Sequence, residues 1–267
     1  MTRRIFDSHL HIIDERFPLE ANNGYLPPQF TAHDYQRAVA ELGGGAGGTG
    51  GADSEVLGGV VVSGSFQAFD HGYLLDALRT LGPTFVGVAN VEPTASDDEL
   101  RALADTGVRG VRFNLYRGGS AGPESILALG QRAWDVAGMH VELYLDAADL
   151  ETLEPVISSL PKASIDHFGM TDHHRNALLR LVSGGVRVKA TGFGRVEMDV
   201  ASVLRQIHAE NPEALMFGTD LPSTRAPRPF SPRDIDLVVE TLGDPQSIDA
   251  VLYRNAARFY VVDAQNS

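Results

Sequence analysis

The sequence contains no cysteine and no long uninterrupted apolar run. Without cysteine the chain has no disulfide and no thiolate metal ligand, which fits a reducing compartment. No stretch reaches the roughly 20 apolar residues that cross a bilayer, and the N-terminal segment carries no apolar signal region. Positive charge is scarce too, because 22 Lys and Arg stand against 35 Asp and Glu, a net charge of −13. We therefore expect neither nucleic acid nor an anionic membrane surface as a partner, and we predict a cytoplasmic protein.

Short apolar runs alternate with amphipathic segments along the whole chain. The segments carry helix-start signals, such as the capping box formed by Ser96 and Glu99. This alternation predicts parallel strands that are joined by right-handed helical crossovers. Eight runs are predicted to be strands: Ile5–His9, Leu57–Ser63, Thr84–Asn90, Gly110–Asn114, His140–Leu145, Ala163–His167, Val186–Thr191 and Leu215–Asp220.

The strand count predicts the α/β class and, within it, a (β/α)₈ TIM barrel built as a single domain over residues 1–267. A doubly wound sheet is the alternative, but no Gly-x-Gly-x-x-Gly turn follows the first strand. The one low-complexity piece, residues 43–51, reads GGGAGGTGG. Such a composition predicts a flexible loop within the domain, at the end opposite the catalytic loops.

Ionisable residues collect where the predicted strands end, which is where barrel enzymes place their active sites. Strand alternation puts Asp7, His9 and His11 on one face of the first strand. Strands six and eight end at His167 and Asp220. We predict that the catalytic residues are His9, His11, His167 and Asp220.

A structural explanation competes for each of these residues. A lone histidine at a strand end is more often a hydrogen-bonded structural residue, and Asp220 could cap a helix. The His-x-His pair favours function, because both rings are expected to enter the same lumen. His140 begins strand five, at the wrong end to act. The other histidines lie in predicted helices or at their starts and are read as surface residues: His33, His71, His173, His174 and His208.

Four motifs together resemble the amidohydrolase superfamily, in its amidohydrolase-2 type. They are FDSHLH at residues 6–11, GVRFN at 110–114, DHFG at 166–169 and FGTDLP at 217–222. Within that superfamily the chain is most similar to the 2-pyrone-4,6-dicarboxylate lactonase-like branch, over nearly its whole length. The resemblance implies a hydrolase of aromatic catabolism.

The resemblance also bears on metal content. Zinc members of the superfamily use His-x-His, a strand-five histidine and the strand-eight aspartate, whereas this chain has Tyr144 in strand five and Arg112 in strand four. An arginine beside the site opposes a divalent cation, and the lactonase branch works without metal. We therefore predict no metal and no other cofactor. The alternative is one zinc or other divalent ion held by His9, His11 and Asp220.

Without a metal, Asp220 is the predicted general base toward water, and the histidines are predicted to polarise the scissile carbonyl. A lactone has a better leaving group than an amide and suits such a site. Arginines at the strand ends predict a small anionic substrate, because guanidinium forks bind carboxylates. The predicted substrate-binding residues are Arg112, Arg117, Tyr144, Arg195, Ser65 and Arg228, with Arg225 an equal candidate beside Arg228.

The resemblance implies that Arg112, Tyr144 and Arg195 contact substrate carboxylates. The chain departs from the lactonase pattern after His167, where no arginine follows, and in the loop after Asp220. The particular lactone therefore stays open. Two other functions also stay open: a zinc-dependent sugar lactonase or decarboxylase, and a non-catalytic ligand-binding barrel. The sequence gives neither the pathway nor the oligomeric state, and a homo-oligomer is compatible with it.

Overall fold

The computed structural model describes residues 2–43 and 54–261, with an eight-stranded parallel sheet at the centre. The strands lie in chain order, each hydrogen-bonded to the next. They are β1 (Arg3–Leu10), β2 (Ser54–Val62), β3 (Phe85–Ala89), β4 (Val108–Asn114), β5 (His140–Tyr144), β6 (Ala163–Ile165), β7 (Arg187–Ala190) and β8 (Leu215–Phe217). All eight predicted strands are confirmed, with ends that differ by a few residues.

One helix follows each strand, and two more follow the last of these. The predicted capping box of the third helix is present, since Glu99 N donates to Ser96 Oγ and Ser96 N donates to the Glu99 carboxylate. The helices are α1 (Ala32–Gly43), α2 (Gly72–Leu81), α3 (Asp97–Asp105), α4 (Ile126–Ala137), α5 (Leu150–Ser158), α6 (Arg175–Ser183), α7 (Val200–Glu210), α8 (Pro232–Leu242), α9 (Pro245–Asp249) and α10 (Asn255–Val261), with a π-helical turn at Ala250–Arg254.

The sheet closes on itself where the chain leaves β1 and β8. His11 N donates to Leu221 O at 2.8 Å, and Asp220 N donates to His9 O at 2.8 Å. The Asp7 carboxylate adds two bonds, from Thr219 N at 2.8 Å and Thr219 Oγ1 at 2.6 Å. We call residues 7–11 and 219–221 the barrel seam. The predicted (β/α)₈ barrel is therefore confirmed.

Alternating strand residues build two separate cores, as the two-residue period of a strand requires. Val61 packs in the large cluster that includes the helices, whereas Val60 and Val62 pack in a smaller cluster inside the sheet. Phe259 and Tyr260 of α10 join the smaller cluster, so the last helix covers one end of the barrel interior. The functional residues lie at the other end, after the strands.

Two predictions about segments have different outcomes. The predicted flexible loop at residues 43–51 lies outside the described residues, apart from Gly43, which ends α1. Within residues 2–43 and 54–261, none of the helices has both the length and the apolar character that crossing a membrane requires.

Candidate active site

The four predicted catalytic residues meet at the carboxyl ends of β1, β6 and β8. His9 Nε2 lies 3.3 Å from His11 Nε2, and each of these atoms lies 3.8 Å from Asp220 Oδ1. The rings of His9 and His167 pack edge to face, with centroids 4.8 Å apart. All four side chains are buried. Residues that are distant in the chain thus form one compact group.

Hydrogen-bond partners fix the protons of the two paired histidines. His11 Nδ1 lies 2.8 Å from the carbonyl oxygen of Val62, which can only accept, so His11 carries its proton on Nδ1. His11 Nε2 is then an acceptor, and His9 Nε2 must donate to it. His9 Nδ1 is in turn an acceptor, and the Lys189 ammonium lies 3.3 Å from it. Both rings are neutral in this arrangement.

Burial favours the neutral form of all three histidines. It lowers the pKa of His9 and of His167 well below the ordinary value, and it lowers the pKa of His11 to about 3. Neighbouring cations add to the effect: Lys189 for His9, Arg112 for His11 and Arg195 for His167. The site therefore presents uncharged imidazoles at neutral pH.

Asp220 is held by one of its oxygens and free at the other. Arg195 Nε donates to Oδ2 at 2.9 Å, and Arg195 Nη2 donates to the same oxygen. Oδ1 is buried and has no hydrogen-bond partner among residues 2–43 and 54–261. Burial raises the pKa of Asp220 to about 6, although the adjacent guanidinium of Arg195 opposes this shift. Asp220 also has a φ of +59°, a conformation that non-glycine residues adopt at a cost and that often marks functional sites.

A buried network of charges lies beneath the histidines, and sequence reasoning missed two of its members, Glu142 and Lys189. Lys189 Nζ lies 2.5 Å from Glu142 Oε2 and 3.7 Å from Asp166 Oδ1. Arg112 Nη2 donates to Asp166 Oδ2 at 2.8 Å. The signal in the sequence was a charged residue in the middle of an apolar strand, which is rarely buried unless it is paired. With Asp220 and Arg195, the cluster holds three carboxylates and three cations.

Asp7 does not join this cluster, contrary to the prediction that it shares a face with His9 and His11. Its carboxylate accepts hydrogen bonds from Thr219, from His9 N and from the Tyr35 hydroxyl of α1. The pairing of β1 with β2 shifts register between Asp7 and Leu10, so simple alternation fails at this point. Asp7 ties the seam together.

A cavity opens above the histidines and collects most of the predicted substrate-binding residues. Arg112 and Arg195 reach it, although each already holds a carboxylate of the protein. Arg228 is not brought into the cavity lining, because its guanidinium bonds Asp234 at 2.7 Å. The cavity is lined by His11, Tyr25, Gly64, Ser65, Phe66, Arg112, Asn114, Arg117, Tyr144, His167, Arg195, Thr224 and Arg225.

Arg117 and Arg225 differ from the other cavity arginines because no carboxylate lies within ion-pair distance of either among the described residues. Arg225 Nη1 donates to Asn22 Oδ1 at 2.9 Å, and its guanidinium stacks on Tyr25 at 4.3 Å. The Arg117 guanidinium lies 4.9 Å from the ring of Tyr116. Burial and the nearby charge of Arg117 lower the pKa of Arg225. An anion in the cavity would relieve this repulsion.

Within residues 2–43 and 54–261, side chains close enough together to hold a metal ion include His9, His167 and Asp220, and also His9, Glu142 and Asp166. The predicted alternative set of His9, His11 and Asp220 is also compact, with separations of 3.3 and 3.8 Å. The hydrogen bonds of the two paired histidines differ in this respect. His11 donates Nδ1–H to the Val62 carbonyl, as a metal-bound histidine does. His9, which appears in every set, instead has the Lys189 ammonium at Nδ1 and the His11 ring at Nε2.

Comparison with known proteins agrees with the motifs. A 2-pyrone-4,6-dicarboxylate hydrolase from Comamonas testosteroni is 30% identical over 190 residues, which cover 61% of this chain and 62% of that protein, less than two thirds of its length. A 4-sulfomuconolactone hydrolase from Rhizobium radiobacter is 24% identical over 280 residues, covering 96% of this chain and 90% of the relative.

Structural comparison leads the same way. A Pseudomonas putida protein assigned to the 2-pyrone-4,6-dicarboxylic acid hydrolases has a TM-score of 0.73, with 26% identity and 97% of each chain covered. The amidohydrolase family model matches residues 6–262. The resemblance seen in the four motifs is thereby confirmed, and the chain belongs to the amidohydrolase family.

Proposed function

We propose that this protein hydrolyses a small anionic lactone with water that is activated by Asp220, without a metal ion. The observation that carries the proposal is the state of Asp220, with one oxygen fixed by Arg195 and the other buried and unpartnered beside the histidines. The relatives named for pyrone-dicarboxylate and sulfomuconolactone hydrolysis support the substrate class.

In the proposed reaction Asp220 accepts a proton from water while the water oxygen forms a bond to the lactone carbonyl carbon. The ring C–O bond then breaks, and Asp220 returns the proton to the departing oxygen, which leaves a ring-opened hydroxy acid. A pKa of about 6 suits this role. The carboxylate is ionised at neutral pH, yet it is more basic than an exposed aspartate.

The developing oxyanion needs N–H donors that face the cavity. His167 lines the cavity, and its Nδ1 is unpartnered within the described part of the chain. Arg195 lines it as well. His11 is predicted from the sequence to be a donor, but its N–H is bound to Val62. We therefore assign carbonyl polarisation to His167 and Arg195, because the N–H of His9 and the lone pair of His11 Nε2 are already bound to each other.

The substrate's anionic group is proposed to meet Arg117 and Arg225. Arg112 and Arg195 have protein carboxylates as partners, so they offer less unbalanced charge to a ligand. Arg117 and Arg225 have no such partner among the described residues, and an anion between them would gain charge-assisted hydrogen bonds. Ser65 and Tyr144 complete the proposed substrate contacts.

The balance of charges in the buried cluster supports a mechanism without a metal ion. The buried cluster already pairs its three carboxylates with three cations. A divalent ion would add two positive charges to a buried region without an extra carboxylate to compensate them, which is costly. Tyr144 at the end of β5, where zinc members of the superfamily supply a histidine, is consistent with this.

The direct test is a screen of anionic lactones, with wild-type protein assayed before and after treatment with a strong chelator. We expect turnover of a carboxylated lactone, unchanged by the chelator and unchanged by added zinc. Loss of turnover on chelation and recovery with zinc would contradict the metal-free mechanism. No turnover of any lactone, with tight binding of the acids, would instead favour a ligand-binding barrel.

A glycine close to the site provides a second test. Gly192 has a φ of +64°, and a methyl group there would lie 2.6 Å from His167 Nδ1 and 2.9 Å from Arg195 Cγ. Gly192→Ala should displace both side chains and lower kcat/KM by about 10–100-fold, since misplacement by 1 Å can cost about 10²-fold.

Gly138→Ala is the matched control for this substitution. Gly138 has a φ of +63°, and nothing lies within 4 Å of an added Cβ. Both variants place an alanine at a positive φ, where an L side chain costs about 1–2 kcal/mol. Equal losses of kcat/KM in the two variants would mean that backbone strain, rather than displacement of His167 and Arg195, is responsible.

A further inference from the structure

We infer that Lys189 is a positioning residue that fixes His9 in its Nε2–H tautomer and thereby prevents His9 from binding a metal ion. The inference rests on the metal-free part of the proposed function. It concerns a side chain outside the catalytic set, on β7, that is completely buried.

The ammonium group of Lys189 can act only as a hydrogen-bond donor to its neighbours. Nζ lies 2.5 Å from Glu142 Oε2, 3.3 Å from His9 Nδ1 and 3.7 Å from Asp166 Oδ1. An ammonium group has three N–H bonds and no acceptor, so it can only donate. His9 Nδ1 must therefore present its lone pair to Lys189, which leaves the ring proton on Nε2.

An independent contact at the other end of the pair requires the same assignment. The Val62 carbonyl takes the Nδ1 proton of His11, so His11 Nε2 can only accept. The contact of 3.3 Å between the two Nε2 atoms needs one proton, and His9 supplies it. Lys189, next to His9, and Val62, next to His11, thus require the same positions of the ring protons in this pair.

At His9 this pattern is the reverse of the one that supports a metal-binding histidine. Such a histidine offers one nitrogen lone pair to the metal and donates the other N–H to a carboxylate or carbonyl. Here a cation lies where that acceptor should be. Asp166 Oδ1 lies 3.4 Å from His9 Nδ1 and has no hydrogen-bond partner among the described residues, so it is in place to accept Nδ1–H once the ammonium is gone.

The test is the double variant Lys189→Met/Glu142→Gln, which removes one positive and one negative charge and so keeps the cluster balanced. Two measurements apply to the full-length, metal-free protein: ¹⁵N NMR of the histidine side chains and calorimetric titration with zinc. In the wild type we expect His9 protonated at Nε2. In the double variant we expect zinc binding about 10–100-fold tighter, the scale of supporting contacts around metal-bound histidines, with the His9 proton on Nδ1 once zinc is bound.

Glu142→Gln alone is the matched control, because it loses a buried charge but keeps the ammonium group. It should retain the wild-type tautomer, and because it lacks the same carboxylate as the double variant, the two differ only in the Lys189 side chain. A wild-type His9 protonated at Nδ1, or a double variant that binds zinc no more tightly than Glu142→Gln, would overturn the inference. Even if the double variant does not fold, a wild-type His9 protonated at Nδ1 would still overturn the inference. The tautomer is also independent of whether any lactone is turned over.

Discussion

We expect Asp220→Asn to lower kcat by about 10²–10⁴-fold, the usual contribution of a general base. Asparagine keeps the shape of the side chain and an oxygen for Arg195, but it cannot accept a proton from water. The fold and ligand binding should survive, as measured by circular dichroism and by titration with the substrate acid. Asp234→Asn is the matched control. It also weakens an arginine–aspartate pair, but this pair, Arg228 with Asp234, lies outside the cavity lining. Near-normal kcat in Asp220→Asn would remove Asp220 from the mechanism.

The dependence of kcat/KM on pH, compared between wild type and Asp220→Asn, gives a second test of Asp220 as the base. Asp220 acts as a base only when it is ionised, and burial raises its pKa to about 6. Wild-type kcat/KM should therefore fall about tenfold per pH unit below about pH 6 rather than near the ordinary value of 3.8. Asp166 raises this pKa further, whereas Arg195 and Arg112 lower it. The residual kcat/KM of Asp220→Asn should not show this fall below about pH 6.

Arg225→Ala should lower kcat/KM for a free-acid lactone by about 10–100-fold, the equivalent of one charge-assisted hydrogen bond of about 1.5–3 kcal/mol. The methyl ester of the same lactone should change little, because it carries no charge for the guanidinium to bind. Arg225→Lys should recover only part of the loss, since lysine lacks the planar fork. The measured quantity is the ratio of kcat/KM for acid and ester.

Arg228→Ala serves as the control in the same loop. Arg228 holds Asp234 rather than lining the cavity, so its removal should leave the acid-to-ester ratio as in the wild type. If Arg225→Ala reduced the rates for acid and ester equally, Arg225 would be a structural support for Asn22 instead of an anion-binding residue.

The barrel and the meeting of the proposed catalytic residues could be predicted because each rests on a local pattern. Apolar runs of strand length mark β1 to β8, and polar residues at their carboxyl ends must meet once the strands are parallel. Lys189 and Glu142 carried a signal of the same kind, but inside their strands rather than at the ends. Their position does not mark them, because both side chains lie in the barrel interior and not at the carboxyl ends of the strands.

Pairings across the barrel could not be predicted in this way. Arg112 with Asp166, and Arg195 with Asp220, depend on the register and rotation of separate strands. Arg225 and Arg228 lie three positions apart in one loop, and the sequence gives no means of telling the cavity residue from the surface one. The structure separates them by their partners, Asn22 and Asp234.

The barrel seam joins the two ends of the chain, and it has a consequence for the order of assembly. Asp7 and Thr219, which are bonded across the seam, are separated by 212 positions. Contacts at such long range carry a large loop-closure entropy, which favours their formation after the local β–α units. His9 and Asp220 lie in that same seam. A chain still under synthesis therefore lacks the complete group of proposed catalytic residues until its eighth strand has emerged. If these residues are catalytic, turnover measures closure of the barrel rather than formation of its helices.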